Sequence, residues 1–518
     1  MHPYQHAQTH PDRPALVVAD SGEQLTYREL DEGSNRAAQL FRSLGLRPGD
    51  KIGLMLKNSL EYAVIFWAAQ RSGLIVVLLS THLKPEEAAY ILNDSNAKLL
   101  ITSTDIGETA ATLSVQRQEL IPKVEIVFNT AAQSLDGTRS FHQALSEMPP
   151  TPISDQISGF YILYSSGTTG RPKGIVIPFK HAPIEEPSPV ESATKLYENY
   201  DPLVTLCPGP LYHGAPLNVM FITQRLGGTF VTLRKFEAAQ TLKALQDWRV
   251  VHAQFVPTMF VRMLALPDEV RRSFDLSSLK YVAHAAAPCP VDIKRRMIEW
   301  LGPIIDEYYG ASENLGGTYI TSKEWLRKPG SVGRSQVGPL HICDEDGREL
   351  APGQEGIVYF EVPADKGFNY LNDPEKTSKA RHPAHATWYT VGDIGKLDDE
   401  GYLFLTDRRD FMIISGGVNI YPQAVEDALI VHPKVLDAAV IGVPNPDFGE
   451  EVMAIVQPKN WDDAGDNLAA ELTAWCQSRI STVSRPRSVK FVRELPRLAS
   501  GKLAKRELRR IYGAPWSI

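Results

Sequence analysis

Cysteine is scarce in this sequence: there are four in 518 residues, Cys207, Cys289, Cys343 and Cys476. None falls in the paired CxxC spacing of a zinc site, and their density is far below that of a disulfide scaffold, so they read as reduced thiols in a packed interior. Long apolar runs are also lacking. The most apolar stretch, Leu74–Leu79, is much shorter than the roughly 20 residues a bilayer-spanning helix needs. The opening residues, MHPYQHAQTHPDRP, carry no apolar core of a secretory signal, so a cytoplasmic protein without a transmembrane segment is expected. Basic blocks are missing as well. With a formal net charge of -7, the chain offers no electrostatic footprint for nucleic acid or an anionic membrane.

What is present fits a multi-domain globular enzyme. Hydrophobic residues make up 43% and charged residues 22%, and 518 residues exceed what one hydrophobic core normally organises. From Ala15 to Ile126, short β-type runs (ALVV, KIGLML, LIVVLL, KLLIT, VEIVF) alternate with helical stretches such as Tyr27–Leu44 and Glu86–Asn93. That alternation predicts parallel α/β structure. It recurs from Thr205 to Tyr308, where Leu242, Leu245 and Trp248 share a helical face suited to core packing. Between Leu326 and Asp410 the texture changes to short strands punctuated by Gly, Asp and Pro, predicting a β-rich subdomain over 325–409. After it the pattern predicts a compact α+β unit, with helices near Gln423–Val431 and Leu468–Arg479 and strands near Ala438–Val443, Val452–Gln457 and Val489–Val492. The expected division is 1–409 and 410–518.

The strongest chemical signal is Ser165-Ser166-Gly167-Thr168-Thr169-Gly170-Arg171-Pro172-Lys173-Gly174, which follows the strand-like run Phe160–Leu163. Glycines bring backbone N–H groups close to phosphate oxygens, hydroxyls donate hydrogen bonds, and Lys173 adds mobile positive charge. It is not a Walker A loop, because Arg171-Pro172 precede the lysine and Gly174 stands where Ser or Thr is required.

This run resembles the signature loop of the acyl-adenylating superfamily, which includes acyl- and aryl-CoA synthetases, adenylation domains of peptide synthetases and firefly-type luciferases. Further segments similar to that family's arrive in its order across nearly the whole chain. In Pro208-Gly209-Pro210-Leu211-Tyr212-His213-Gly214, the resemblance puts His213 beside the substrate carboxylate. Ala285-Ala286-Ala287-Pro288 looks like the small-residue segment against which adenine lies, although many relatives carry Gly where this chain has Ala285 or Ala286. In Tyr308-Tyr309-Gly310-Ala311-Ser312-Glu313 it implies an aromatic face for the purine from Tyr309, within the nucleotide-binding run Tyr309, Gly310, Ala311 and Ser312. It implies an oxygen for Mg²⁺ from Glu313, with Thr168 as a second contact. Asp393 is suited to the ribose hydroxyls and Arg408 to ribose or phosphate. Asp410 matches the hinge position, while Phe411 departs from the acidic residue common there. Gly416 and Gly417 look like the lining of a pantetheine tunnel, and Lys502 in Pro496-Arg497-Leu498-Ala499-Ser500-Gly501-Lys502 like the lysine that catalyses adenylation.

The resemblance therefore implies an enzyme that uses ATP and Mg²⁺ to join a carboxylic acid to AMP with release of pyrophosphate. The acyl group is then transferred, with coenzyme A the favoured acceptor. A stand-alone amide synthetase with an amine acceptor and a carrier-protein-loading adenylation enzyme are the alternatives. A nonenzymatic nucleotide sensor would need neither Lys502 nor the paired glycines. The segments Tyr212–Leu217 and Glu324–Gly333 are similar to those of bacterial synthetases acting on aromatic, arylpropenoic, steroid side-chain or fatty acids, with Gln254, Phe255, Val256, Pro257 and Gly316 as candidate pocket positions. The expected assembly is a monomer or homodimer.

Overall fold

The structure is a computed structural model that describes residues 1–165, 172–186, 197, 200–363, 365–408, 411–415, 418–497 and 502–513, with Ser165 and Arg408 described in backbone only. The chain forms two compact units, and each draws on separated stretches of sequence. The first contains Met1–Phe255, Leu266–Ala283 and Phe368–Thr377; the second contains Val256–Ala265, His284–Gly367 and Ser378–Ile518. The boundary expected at 409/410 lies inside the second unit, at residues outside those described.

Within the first unit, an eight-stranded sheet runs in the order Asn369–Tyr370, Lys173–Val176, Phe160–Ser165, Ile75–Leu78, Lys51–Leu54, Leu99–Thr102, Ile126–Asn129, Arg139–Ser140. Its strands from Phe160–Ser165 onward are parallel, and the two preceding them are antiparallel additions. The parallel core explains why LIVVLL and KLLIT read as continuous apolar runs rather than alternating ones, since both faces are covered. A second sheet in this unit orders His252–Phe255, Val204–Leu206, Thr229–Thr232, Pro14–Val18 and Glu23–Thr26. The helix Tyr27–Ser43 starts where the sequence predicts because Thr26 and Glu29 form a reciprocal capping box. Trp67 stacks on Phe221 at 5.0 Å and donates its indole N–H to Gln224, whose amide reaches the Ala15 carbonyl, so polar bonds fix the position of this apolar contact.

In the second unit, the predicted β-rich segment is an antiparallel sheet ordered Leu340–Cys343, Gly356–Glu361, Asp393–Leu397, Leu403–Arg408, with Trp388–Tyr389 also on Gly356–Glu361. Ile305–Gly310 pairs antiparallel with Gly317–Ile320, which pairs in turn with Arg334–Ser335. The C-terminal sheet orders Val418–Ile420, Ile413–Ser415, Gly449–Pro458, Val435–Asn445, and Ser488–Phe491 adds in parallel to Gly449–Pro458. Alternation along Val435–Asn445 separates two cores. Ala438 and Val440 face Val425, Leu429, Leu468 and Leu472, from the helices Pro422–Ile430 and Asp466–Gln477. Ala439, Ile441 and Val443 face Leu495 and Leu508 on the other side. No helix among the described residues is long and apolar enough to cross a membrane.

Candidate active site

The groups picked out by sequence fall into a set on each unit. On the first, Phe160–Ser165 leads out of the sheet and Lys173–Val176 returns antiparallel, with Ser165 opposite Lys173. The two strands therefore flank the segment in which the sequence predicts a phosphate loop. Ser166, Gly167, Thr168, Thr169 and Gly170 lie outside the described residues. Gly174 has a packing reason: a Cβ there would sit 2.9 Å from the Tyr164 ring and 3.1 Å from Leu371. The Tyr164 hydroxyl donates to Asp94 at 2.8 Å, and the same carboxylate accepts the Asn372 amide at 3.0 Å. Lys173 is mostly buried, with Nζ 3.4 Å from the Asp373 carboxylate and 5.8 Å from the Tyr370 ring. The cation is thus held beside an anion and an aromatic face.

His213 precedes the helix Gly214–Arg225 at its N-cap, with extended φ and ψ, and its ring lies 4.7 Å from that of Tyr212. An imidazole at the positive end of a helix is well placed to donate to a carboxylate. The turn that carries it is fixed by Asn58, a buried residue that sequence reasoning missed. Its amide nitrogen donates to the Gly209 and Leu233 carbonyls at 3.1 and 3.0 Å, and its carbonyl accepts from the Leu211 amide at 2.9 Å. Burial raises the Tyr212 phenol above its ordinary value, so it stays neutral.

On the second unit, the Ile305–Gly310 strand carries Tyr309 and Gly310 at its end. Ala311, Ser312 and Glu313 follow in the turn before Gly317–Ile320. The Tyr309 hydroxyl donates to Asp393 at 2.5 Å, and its ring lies 5.8 Å from that of Phe360. Asp393 pairs with Arg408 across the ladder between Asp393–Leu397 and Leu403–Arg408. Sequence had separated these three positions; the folded chain gathers them. The Glu313 side chain is only about 7% exposed, in a turn shaped by positive φ at Asn314 and Gly316. A buried carboxylate offers the hard oxygen that Mg²⁺ favours, so this residue fits the ion.

Ala286, Ala287 and Pro288 follow the strand Tyr281–His284, where Ala286 takes φ +75°. That is the left-handed region, where a side chain bearing a Cβ is strained by about 1–2 kcal/mol. Lys502 is exposed, next to Leu503, whose backbone bridges to Arg497. Asp410, Gly416 and Gly417 lie outside the described residues, as does the Arg408 side chain. Asp373 and Asp94 were not singled out from sequence because nothing local marks them; each works through a partner distant along the chain.

Comparison with known proteins gives the same picture. Family models match residues 4–364 as AMP-binding enzyme and 424–502 as AMP-binding enzyme C-terminal domain. A feruloyl-CoA synthase from Amycolatopsis sp is 33% identical over 504 residues, covering 96% of each chain. Among solved structures, the anthranilate CoA ligase AuaEII in complex with anthranoyl-AMP superposes with a TM-score of 0.81 at 25% identity, over 98% of this chain and 96% of that one. The amide bond synthetase McbA from Marinactinospora thermotolerans gives 0.79 at 25% identity, over 98% and 99%. With these matches spanning both the larger part of the chain and its C-terminal region, the chain belongs to the AMP-binding enzymes, the adenylate-forming ligases.

Proposed function

We propose that the protein activates a carboxylic acid with ATP and transfers the acyl group to coenzyme A. A carboxylate oxygen attacks the α-phosphorus, the bond from that phosphorus to the bridging oxygen breaks, and pyrophosphate leaves with the bonding electrons. The acyl adenylate then meets a thiolate, which attacks the acyl carbon and releases AMP. Lys173 and the backbone amides of 166–170 screen the outer phosphates, and His213 orients the acid. Tyr309 and Asp393 hold the nucleoside, Asp393 by accepting from ribose hydroxyls and Arg408 by contacting ribose or phosphate. Glu313 is the residue to hold Mg²⁺, with Thr168, and that ion neutralises phosphate charge when bound. Lys502 approaches the α-phosphate as negative charge redistributes, and an ammonium at the end of a flexible stem suits that task. Rotation about Asp410 then withdraws Lys502 and presents Gly416 and Gly417 to the incoming thiol.

The observation that carries the reading is the Tyr309–Asp393 hydrogen bond at 2.5 Å, because it aims a carboxylate from one sheet at the end of a strand from another hairpin, as a ribose clamp requires. Similarity to a feruloyl-CoA synthase and an anthranilate CoA ligase favours aromatic or arylpropenoic acids and a thiol acceptor. A second reading rests on the likeness to McbA and replaces the thiol with an amine. Incubation with ATP, Mg²⁺ and a panel of ferulate, benzoate, anthranilate and long-chain fatty acids, with coenzyme A or a primary amine, separates the two by product mass. A thioester is expected; an amide formed with amine and no thioester with coenzyme A overturns the choice of acceptor.

A further inference from the structure

Lys502 adjoins two described stretches, 495–497 and 503–505, that are held to each other and to the C-terminal sheet by paired contacts. On the incoming stretch, the Pro496 carbonyl accepts from the Ala504 amide at 2.9 Å, and the backbone of Arg497 bridges to that of Leu503. The Arg497 guanidinium grips Asp437 with both arms, Nε at 2.7 Å and a terminal nitrogen at 2.6 Å, where the two side chains are 16% and 14% exposed. On the outgoing stretch, Lys505 meets Glu426 at 2.9 Å with each side chain 7% exposed, and Glu426 also accepts the Val440 amide at 2.7 Å. Asp437 lies on the strand Val435–Asn445, and Glu426, on the helix Pro422–Ile430, is tied to the same strand through the Val440 amide. Asp437 lies where that strand's register shifts against Gly449–Pro458, a bulge that turns a side chain out of the regular alternation.

Burying four charges is a poor way to gain stability, because desolvation consumes most of the attraction and an apolar pair of similar volume often does as well. The apolar contacts to hold this region already exist: Leu495, Leu503 and Leu508 pack on Ala439, Ile441 and Val443. What a two-armed Arg–carboxylate pair adds is a fixed direction, since the planar fork accepts its partner in one geometry. Between the two stretches, Lys502 is left exposed.

We propose that Asp437 is a positioning residue for the Lys502 ammonium, setting through Arg497 the reach of that lysine during adenylation. The inference rests on the reading of Lys502 as the group that screens the α-phosphate. It separates the half-reactions: adenylation needs Lys502 placed within a fraction of an ångström, whereas transfer to the thiol takes place with Lys502 withdrawn.

The test replaces both partners, Asp437→Leu together with Arg497→Met, so that neither buried charge is left alone. Melting temperature, acid-dependent exchange of pyrophosphate into ATP, and transfer to coenzyme A from a chemically prepared adenylate are measured, with the panel's most active acid. The variant is expected to melt at or near the wild-type temperature, to lose exchange by about tenfold to a hundredfold, and to keep transfer within about twofold. A folded variant with unchanged exchange overturns the proposal, and so does an equal loss in both half-reactions, which marks a general structural defect. Should the double variant not fold, Asp437→Glu keeps the ion pair and lengthens its arm by a methylene; exchange must then fall more than transfer, and equal rates contradict the assignment. Lys502→Ala, run in parallel, distinguishes the failures: if it retains exchange, the reading of Lys502 itself is wrong and Asp437 has nothing to position.

Discussion

Single side chains decide how firmly a substrate is held, and Tyr309 is the clearest case. Its hydroxyl donates to one oxygen of Asp393, the carboxylate proposed above to hold the ribose. A hydrogen bond to a charged acceptor contributes about 1.5–3 kcal/mol net. Tyr309→Phe is therefore expected to raise the KM for ATP by roughly tenfold or more while changing kcat little, as initial rates at varied ATP will show. An unchanged KM would mean that Asp393 is oriented by something else. The candidate residues Tyr309, Glu313, Asp393 and Lys502 could be picked out from the sequence because each sits in a short ordered motif. Their contacts were not. The Tyr309–Asp393 bond and the Lys173–Asp373 pair join positions far apart in the chain, and no local pattern announces a long-range partner.

At the scale of elements, the periodicities were sound guides. The helix predicted over Tyr27–Leu44 ends at Ser43, and the helices near Gln423–Val431 and Leu468–Arg479 are Pro422–Ile430 and Asp466–Gln477. Pro422 opens its helix at the first turn, where a missing N–H costs nothing. The strand predicted over Ala438–Val443 runs longer, from Val435 to Asn445, because its partner Gly449–Pro458 pairs with it along nearly its full length. Pairing partners were the illegible part. Nothing in the local composition shows that Asn369–Tyr370 leaves the β-rich segment to extend the phosphate-loop sheet, since strand propensity says nothing of which edge a strand will join. Asn58 was missed for a similar reason: a single amide ties the Gly209–Leu211 turn to the end of a strand at Leu233. Asn58→Ala strands several buried backbone groups at about 1–3 kcal/mol each. A lower melting temperature together with a raised KM for the acid is expected, through loss of the turn that carries His213; calorimetry and acid-varied kinetics check both.

For the whole molecule, buried titratable groups set the response to pH. His252 is enclosed between Tyr197, with ring centroids 4.4 Å apart, and Tyr281, stacked at 4.7 Å. Burial holds its imidazole down to about 3. Below its ordinary value near 6.5, the unfolded chain takes up a proton that the folded chain refuses until about pH 3, so stability is lost as pH falls through that window. His252→Phe keeps the ring stack and removes the proton uptake, so the decline in melting temperature between about pH 7 and pH 4.5 should be shallower than in the wild type. An identical decline would assign acid lability to other groups.

The central claim concerns which phosphorus the acid attacks. The direct measurement incubates the purified protein with ATP, Mg²⁺, the panel of carboxylic acids and coenzyme A as acyl acceptor, and resolves the nucleotide products. Attack at the α-phosphorus yields AMP and pyrophosphate in equal amounts, dependent on the acid, and that is the result predicted. Acid-dependent release of ADP and orthophosphate, with AMP absent, would contradict it.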